Sequence, residues 1–209
     1  FIAECGNDRF FELVPALVQS GVDEEFIAKV IECPSDKEAL VRIAECLEKA
    51  GRMELIENIM QTCPWKNDKE ILSLQVKAIC LRSDPEAFTA FLTKNKLSLN
   101  VEQELQYARE KCPLAASSYY QASGRSGDFM PLSIQLQDWD KLSRFLIDAK
   151  QQELWAKMHK QDCFDAVFKS TVANVIHFSE PESASALIKA LVAAEENDKL
   201  IQITRALLE

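Results

Sequence analysis

The chain has 209 residues, of which 47% are hydrophobic, and it carries a formal net charge of −9. This hydrophobic fraction is enough to bury a core, which argues against an intrinsically disordered chain. No cluster of Lys and Arg interrupts the acidic balance, so the composition also argues against a nucleic-acid partner and against direct adhesion to anionic membranes.

Apolar residues recur at helical spacing in the first third of the chain. The stretch FFELVPALVQSG predicts a helix that ends at Gly21. The stretch SDKEALVRIAECLEKAG opens with a capping box of Ser35 and Glu38 and stops at Gly51. The predicted buried stripes are Phe10, Leu13, Val14 and Leu17 in the first helix and Leu40, Ile43, Ala44 and Leu47 in the second.

The middle of the chain continues this pattern. ILSLQVKAICL is apolar nearly all round, which predicts an inner helix covered on two sides. Pro85 suits a first helical turn after a cap at Ser83 or Asp84. A further helix is predicted to begin at Asn100, with Gln103 at the box position, and the pair Cys112–Pro113 then breaks the chain.

The stretch SSYYQASGRSGDF, residues 117–129, holds two of the chain's five glycines. It lacks the Lys-Ser/Thr pair of a phosphate-binding loop, and its spacing misses the dinucleotide-binding fingerprint. We therefore predict a turn between two helices, in which Gly124 or Gly127 supplies the left-handed end and Asp128 caps the next helix.

The last third is also predicted to be helical. From Phe164 to Phe178 the large residues follow helical rather than alternating spacing, although several are β-branched. The next helix is predicted to begin with a Ser179 cap, Pro181 in the first turn and Glu182 completing a box. The run EEND, residues 195–198, marks the turn that follows.

About a dozen short helices joined by tight turns predict an all-α fold, an α-solenoid of stacked antiparallel helical hairpins. The seven cysteines are widely spread and never form C-x-x-C, which favours free thiols and a reducing compartment over a disulfide framework or a zinc site. Because the sequence begins with Phe1 and stops inside a helical pattern, we expect it to be a piece of a longer protein.

Few residues suggest chemistry. His159 and Cys163 are four apart, so on one continuous helix they would share a face as a nucleophile pair or two metal ligands, but a helix boundary at Gln161 or Asp162, with Asp162 as N-cap, is the favoured interpretation. His177 is predicted to be an interhelical or surface histidine. The acidic runs Asp23–Glu25 and Glu195–Glu196 are interpreted as solvated helix starts rather than glycosidase or Mg²⁺ sites.

The tryptophans and the tyrosine pair are interpreted as packing residues rather than ligand platforms. Trp65, Trp139 and Trp155 are predicted to anchor the core or the hairpin seams, and at least one of Tyr119 and Tyr120 to lie in a helix seam. The sequence thus predicts no catalytic, cofactor-binding or metal-binding residue and no cofactor.

The order of these packing units resembles the clathrin heavy chain repeat. The resemblance is best from Pro113 to Glu209, where CPLAASSYYQASG is followed by LSRFL and a nearby ELW, and then by a Pro-Glu turn and a leucine-rich helix. It is weaker upstream: FIAECGNDRFFELVPALVQSGVDEEFIAKVI resembles a preceding leg segment, whereas QTCPWKNDKE and the spacing of residues 94–103 depart from the family pattern. We accordingly divide the chain into residues 1–66, a helical-hairpin segment, and residues 67–209, a repeat segment continuous with it.

The resemblance implies a structural coat protein rather than an enzyme. As a divergent heavy-chain leg segment, the chain is expected to contact other legs in homotrimers and lattices on the cytosolic face of coated vesicles and coated pits, in membrane trafficking and endocytosis. Adaptors and a light chain are expected to bind other regions of the parent protein. The chain is expected to meet the membrane only indirectly, through adaptors. Two alternatives stay open: a subunit of an endosomal or vacuolar tethering complex that carries the same repeat, and a helical enzyme using Cys163 and His159, which requires an accessible Cys163 with a depressed pKa.

Overall fold

A computed structural model describes residues 16, 17, 20, 36–174 and 181–208, and all structural statements below concern these residues. Residues 16 and 17 are helical, and no strand occurs in the described ranges. The helices with defined bounds there are α1 Lys37–Ala50, α2 Glu54–Thr62, α3 Lys69–Leu81, α4 Pro85–Asn95, α5 Val101–Lys111, α6 Pro113–Ala122, α7 Ser126–Leu136, α8 Trp139–Ala149, α9 Gln152–His159, α10 Phe164–Ala173, α11 Pro181–Ala193 and α12 Asn197–Leu208.

Helix α1 begins one residue later than the capping box predicts. Its N-cap is Asp36, whose Oδ1 accepts from the backbone N–H of Ala39 at 2.7 Å. An aspartate suits this position because it satisfies a backbone donor and interacts favourably with the helix dipole. The predicted cap, Ser35, lies outside the described residues. Gly51 ends the helix at φ 70°, as predicted.

Two other predicted helix starts are confirmed in position. Asp84 caps α4, accepting from the N–H of Ala87 at 2.9 Å, and Pro85 is the first helical residue. Asn100 holds the N-cap position of α5, but its side chain makes no capping hydrogen bond. Cys112 ends α5 and Pro113 starts α6, as the Cys-Pro pair predicts.

The predicted apolar faces of α1 and α3 are buried, whereas Phe10, Leu13 and Val14 of the first predicted stripe lie outside the described residues. The stripe of α1 is at most 1% exposed at each of its four positions. Helix α3, predicted to be an inner helix, buries eight residues and packs against α1, α2, α4 and α5. The core of this region is formed chiefly by α1, α2 and α3, with Met53 and Cys63 from the connections between them.

The glycine-rich stretch forms the turn between α6 and α7. Gly124 has φ 69° and supplies the left-handed residue, which confirms the first of the two predicted glycines. Gly127 lies instead in the first turn of α7. Asp128 is not the cap: it lies in that same turn, and its Oδ2 is 2.7 Å from a guanidinium nitrogen of Arg125, the residue before the helix.

The C-terminal helices follow the predicted boundaries where these are described. Helix α10 runs from Phe164 to Ala173, and Pro181 is the first residue of α11. Glu195, at φ 58°, lies in the turn before α12. The remainder of the predicted 164–178 helix, including His177, and the predicted cap Ser179 lie outside the described residues.

The chain divides into two compact units, Phe1–Ala122 and Ser123–Glu209. Within the first unit, α1 packs on α3, α3 on α5 and α4 on α6; within the second, α8 packs on α10, α9 on α11 and α10 on α12. Contact with the next helix and the next but one is the packing of an α-solenoid, so the predicted all-α fold is confirmed. The division at residue 66 stays a prediction. Among the described residues, no helix combines the length and the apolar character that a membrane crossing requires.

Candidate functional site

His159 and Cys163 lie on opposite sides of a helix boundary. His159 is the last residue of α9, and α10 begins at Phe164. The predicted break between them is therefore confirmed, but the N-cap of α10 is Cys163 rather than Asp162. The two side chains do not share one helical face.

The environment of Cys163 opposes nucleophilic chemistry. Burial raises the pKa of its thiol, with a smaller contribution from the nearby Asp162 carboxylate. A reactive cysteine needs a lowered pKa, because the thiolate is the nucleophile. The enzyme alternative expects such a lowered pKa, whereas the burial of Cys163 acts in the opposite direction. His159 is engaged elsewhere, since its Nε2 lies 2.9 Å from Oε1 of Glu196.

This histidine belongs to a cluster of charged and aromatic side chains that joins three helices of the second unit. The other carboxylate oxygen of Glu196 lies 3.1 Å from Nζ of Lys199, and that ammonium is 2.9 Å from the carboxylate of Asp165. Lys199 also lies over the ring of Phe164, which meets the His159 ring edge-on at 4.9 Å. We call these five residues the His159 cluster; it ties α9 and α10 to α12 and its preceding turn.

The cluster corrects one interpretation of the sequence. Glu196 is not simply solvated at a helix start, since it accepts from two side chains. The hydrogen bond from His159 is the main cause that lowers the pKa of Glu196, and the one from Lys199 adds to it. Hydrogen bonding to Asp165 is the main cause that raises the pKa of Lys199.

A second polar cluster joins α1, α3 and α5 in the first unit. One carboxylate oxygen of Glu48 is 2.7 Å from Nζ of Lys77, and the other accepts from the Tyr107 hydroxyl at 3.1 Å. The Lys77 ammonium lies 5.6 Å from the centre of the Tyr107 ring. Burial, followed by the Glu48 charge, raises the pKa of Tyr107, so the phenol remains a hydrogen-bond donor.

Beside this cluster lies a buried carboxyl group. Glu104 is 3% exposed. Burial raises its pKa, and a hydrogen bond with Ser73 and the charge of Lys77 partly offset that effect. The thiol of Cys80 nearby is buried as well, which raises its pKa to about 12. Both groups lie at the seam of α3 and α5 and are closed to bulk solvent.

A third network crosses from α8 to α10. The amide nitrogen of Asn174 donates to the carboxylate of Asp140 at 2.7 Å and to the hydroxyl of Ser143 at 3.1 Å. The Ser143 and Ser170 hydroxyls are 3.3 Å apart. Asn174 and Ser143 are buried, so these bonds satisfy polar groups that burial would otherwise penalise.

The aromatic predictions for Trp65, Trp155 and Tyr120 are confirmed, and the one for the half-buried Trp139 stays a prediction. Trp155 is 1% exposed, Trp65 packs half-buried on the core of α1–α3, and Tyr120 lies in a seam at 2% exposure. The cysteines of the described ranges, namely Cys46, Cys63, Cys80, Cys112 and Cys163, are free thiols. No group of His, Cys, Asp and Glu in those ranges has the arrangement of a metal site. The polar residues of the three clusters link neighbouring helices to one another.

Sequence reasoning identified His159 and Glu196 but did not pair them. The residues of each polar cluster come from different helices, up to 59 positions apart in the case of Glu48 and Tyr107. No local spacing encodes such a pairing. The usable signal was weak: Lys77 is the charged residue within the apolar stretch ILSLQVKAICL, and a lysine in such a stretch is expected to pair with a carboxylate.

Comparison with known proteins agrees with this architecture. No model of a protein family matches the chain. A probable clathrin heavy chain of Schizosaccharomyces pombe is 22% identical to it over 215 residues, an alignment that covers 97% of this chain and 12% of the yeast protein. The chain thus spans about an eighth of that relative. Nearly its whole length is similar to one segment of a clathrin heavy chain, and both the similarity and the stacked helices are those of a clathrin-like repeat rather than proof of the family.

Proposed function

We propose that this chain is a leg segment of a clathrin-like heavy chain, a scaffold that self-assembles into lattices on vesicles and coated pits. The observation that carries the proposal is the combination of uninterrupted helix-on-helix packing within each unit and similarity to a clathrin heavy chain over 97% of the chain.

The mechanism we propose is mechanical. Helices bury their apolar stripes on the next helix or the next but one, so a chain of such hairpins forms a leg without needing one large core. Individually weak contacts between legs add up when many form at once, which lets a coat assemble and later be dismantled. Homotrimeric legs, light-chain and adaptor binding through other regions, and a place on the cytosolic face of the membrane all belong to this proposal.

We further propose that the chain acts without catalysis. The raised pKa of Cys163 and the engagement of His159 by Glu196 support this, since both weaken the one nucleophile pair that the sequence suggested. The described polar clusters are accounted for as links between helices.

Electron microscopy of the natural protein that carries this sequence tests the proposal. The protein is purified through an affinity tag at its own locus and viewed in negative stain. Three-legged particles or polyhedral cages are the expected result. A single hooked rod within a multisubunit complex would instead support the tethering-complex alternative, and a compact monomer would overturn both.

A further inference from the structure

A groove of about 530 Å³ opens between α7 and α9 in the second unit. Met130 and Ile134 of α7 and Leu154 of α9 provide its apolar surface. Met130 and Leu154 are buried and Ile134 is half-buried, so these side chains form a floor rather than a projecting patch. The volume is enough for a few apolar side chains of a ligand.

The rim of this groove is positively charged. Lys157 and Lys160 line it, both are exposed, and no carboxylate is among the lining residues. Neither lysine forms an ion pair with a side chain in the described part of the chain. In a protein with 33 acidic and 24 basic side chains, an apolar groove lined by two cations and no anion is a local reversal of the overall charge.

A proline interrupts the backbone hydrogen bonds of α7 beside the groove. Pro131 lies inside α7 and has no N–H, so the hydrogen bond that residue 131 would donate to the carbonyl of Gly127 is missing. Both residues line the groove. A ligand that offers a hydrogen-bond donor as well as apolar groups and negative charge therefore matches all of these features. A peptide supplies all three, whereas a fatty acid has no donor for that carbonyl at neutral pH.

We propose that the α7–α9 groove binds a short acidic–apolar peptide segment of a partner protein. Its apolar side chains lie on Met130, Ile134 and Leu154, its carboxylates face Lys157 and Lys160, and a backbone N–H donates to the carbonyl of Gly127. The proposal uses only the second unit, so it stands whether or not the chain builds a coat.

Selection from a random library of short peptides displayed on yeast, with the 209-residue chain as bait, tests this binding. The expected result is enrichment of peptides that interleave Asp or Glu with Leu, Ile, Phe or Met. The enriched sequences are then made as fluorescein-labelled peptides and titrated by fluorescence polarisation.

Variants locate the binding. Lys157→Glu with Lys160→Glu is expected to weaken binding about tenfold or more, because attraction becomes repulsion. The matched control, Lys169→Glu with Lys189→Glu, makes the same charge change at exposed lysines outside the groove and is expected to leave affinity unchanged.

A steric pair separates the groove from general charge effects. A Cβ atom at Gly127 meets nothing within 4 Å, so Gly127→Ala is expected to fold and bind normally, and Gly127→Phe to fold but obstruct the groove. Circular dichroism checks the fold of every variant. The proposal is overturned if no peptide is enriched, if the enriched peptides lack acidic residues, or if they bind the Lys157/Lys160 and Gly127→Phe variants as well as the controls.

Discussion

At the scale of single residues, four non-glycine residues in the described part of the chain adopt a backbone conformation that favours glycine. Ser83, Gln137, Lys150 and Glu195 have φ between 54° and 58°, each at or next to the end of a helix. Their Cβ atoms crowd the backbone in this left-handed region, which costs on the order of 1 kcal/mol each. The turns are made nonetheless, because packing on both sides fixes where each helix ends.

Gln137→Gly is therefore expected to stabilise the protein by about 0.5–1 kcal/mol, since Gln137 is exposed and caps α7 at φ 55°. Gln135→Gly, the same substitution two residues earlier inside the helix, is expected to destabilise it by about 1 kcal/mol. Urea unfolding followed by circular dichroism measures both. Destabilisation by both variants would contradict the assigned backbone conformation.

A second pair tests the helix caps. Asp84→Ala removes the acceptor for the Ala87 N–H and is expected to cost about 1 kcal/mol of unfolding free energy. Asn100→Ala changes the equivalent position of α5, where the side chain makes no capping bond, and is expected to cost only a few tenths. Equal losses in the urea midpoint would show that the Asp84 hydrogen bond contributes nothing.

Single residues also show where sequence reasoning reached its limit. Gly51 and the Asp84–Pro85 start were predictable because capping chemistry is local. The four left-handed residues that are not glycine were not predictable, since neither glutamine nor lysine favours that conformation. Asp128 carried the right chemistry for a cap, but it pairs with Arg125 inside the first turn instead.

At the scale of elements, two glutamates placed at helix seams have opposite relations to pH. Glu104, at the seam of α3 and α5, has a pKa raised above its ordinary value of 4.5, whereas Glu196, which precedes α12 and accepts from His159 of α9, has a lowered one. The contribution of Glu104 is most favourable below pH 4.5 and is lost as the pH rises through its raised pKa. That of Glu196 is present above pH 4.5 and is lost as the pH falls through its lowered pKa.

Glu104→Gln is expected to raise stability at neutral pH, because the amide fills the same space without a buried charge. The gain over the wild type is expected to shrink as the pH falls towards 4.5, where the carboxyl group of the wild type is itself neutral. Urea midpoints measured at several pH values test this. A variant less stable than the wild type at neutral pH would contradict the raised pKa.

Glu196→Gln is expected to do the reverse. It removes the charge that accepts from His159 and Lys199, so stability at neutral pH falls, and the deficit disappears on acidification below the lowered pKa. The exposed neighbour Glu195 provides the matched control: Glu195→Gln is expected to change little at any pH. A deficit independent of pH would exclude a charge effect.

The seams explain why the site was harder to predict than the helices. Apolar spacing placed the stripes of α1 and α3 correctly, because it depends only on residues within one helix. The His159 cluster depends on how α9, α10 and α12 are brought together by the packing of the unit, and His159 and Glu196 are 37 residues apart. Such a pairing can be predicted only when the stacking of the helices is already known.

At the scale of the whole molecule, the stacking pattern divides stability into separable parts. Within each unit a helix contacts mainly its next two neighbours. In such a fold, stability is approximately a sum over repeats and the interfaces between them rather than the property of one core. The sequence predicted this arrangement because its helices are short, amphipathic and closely spaced, whereas the compact units divide after Ala122 and not at the predicted segment boundary at residue 66.

The boundary between the units gives the last prediction. Residues 1–122 expressed alone are expected to fold as a helical protein with a cooperative urea transition, since the contacts of α1–α6 are made within that unit. A shorter chain that ends at residue 95 serves as the comparison.

This shorter chain keeps α4 but removes α6, on which α4 packs. The buried Phe88 and Leu92 of α4 then lose the apolar surface that covers them. This second chain is expected to unfold at clearly lower urea concentration or to aggregate, because exposing two large core side chains removes on the order of 3–6 kcal/mol. Equal stability of the two chains would mean that α5 and α6 contribute nothing to the first unit, and failure of residues 1–122 to fold would mean that its packing depends on the residues that follow.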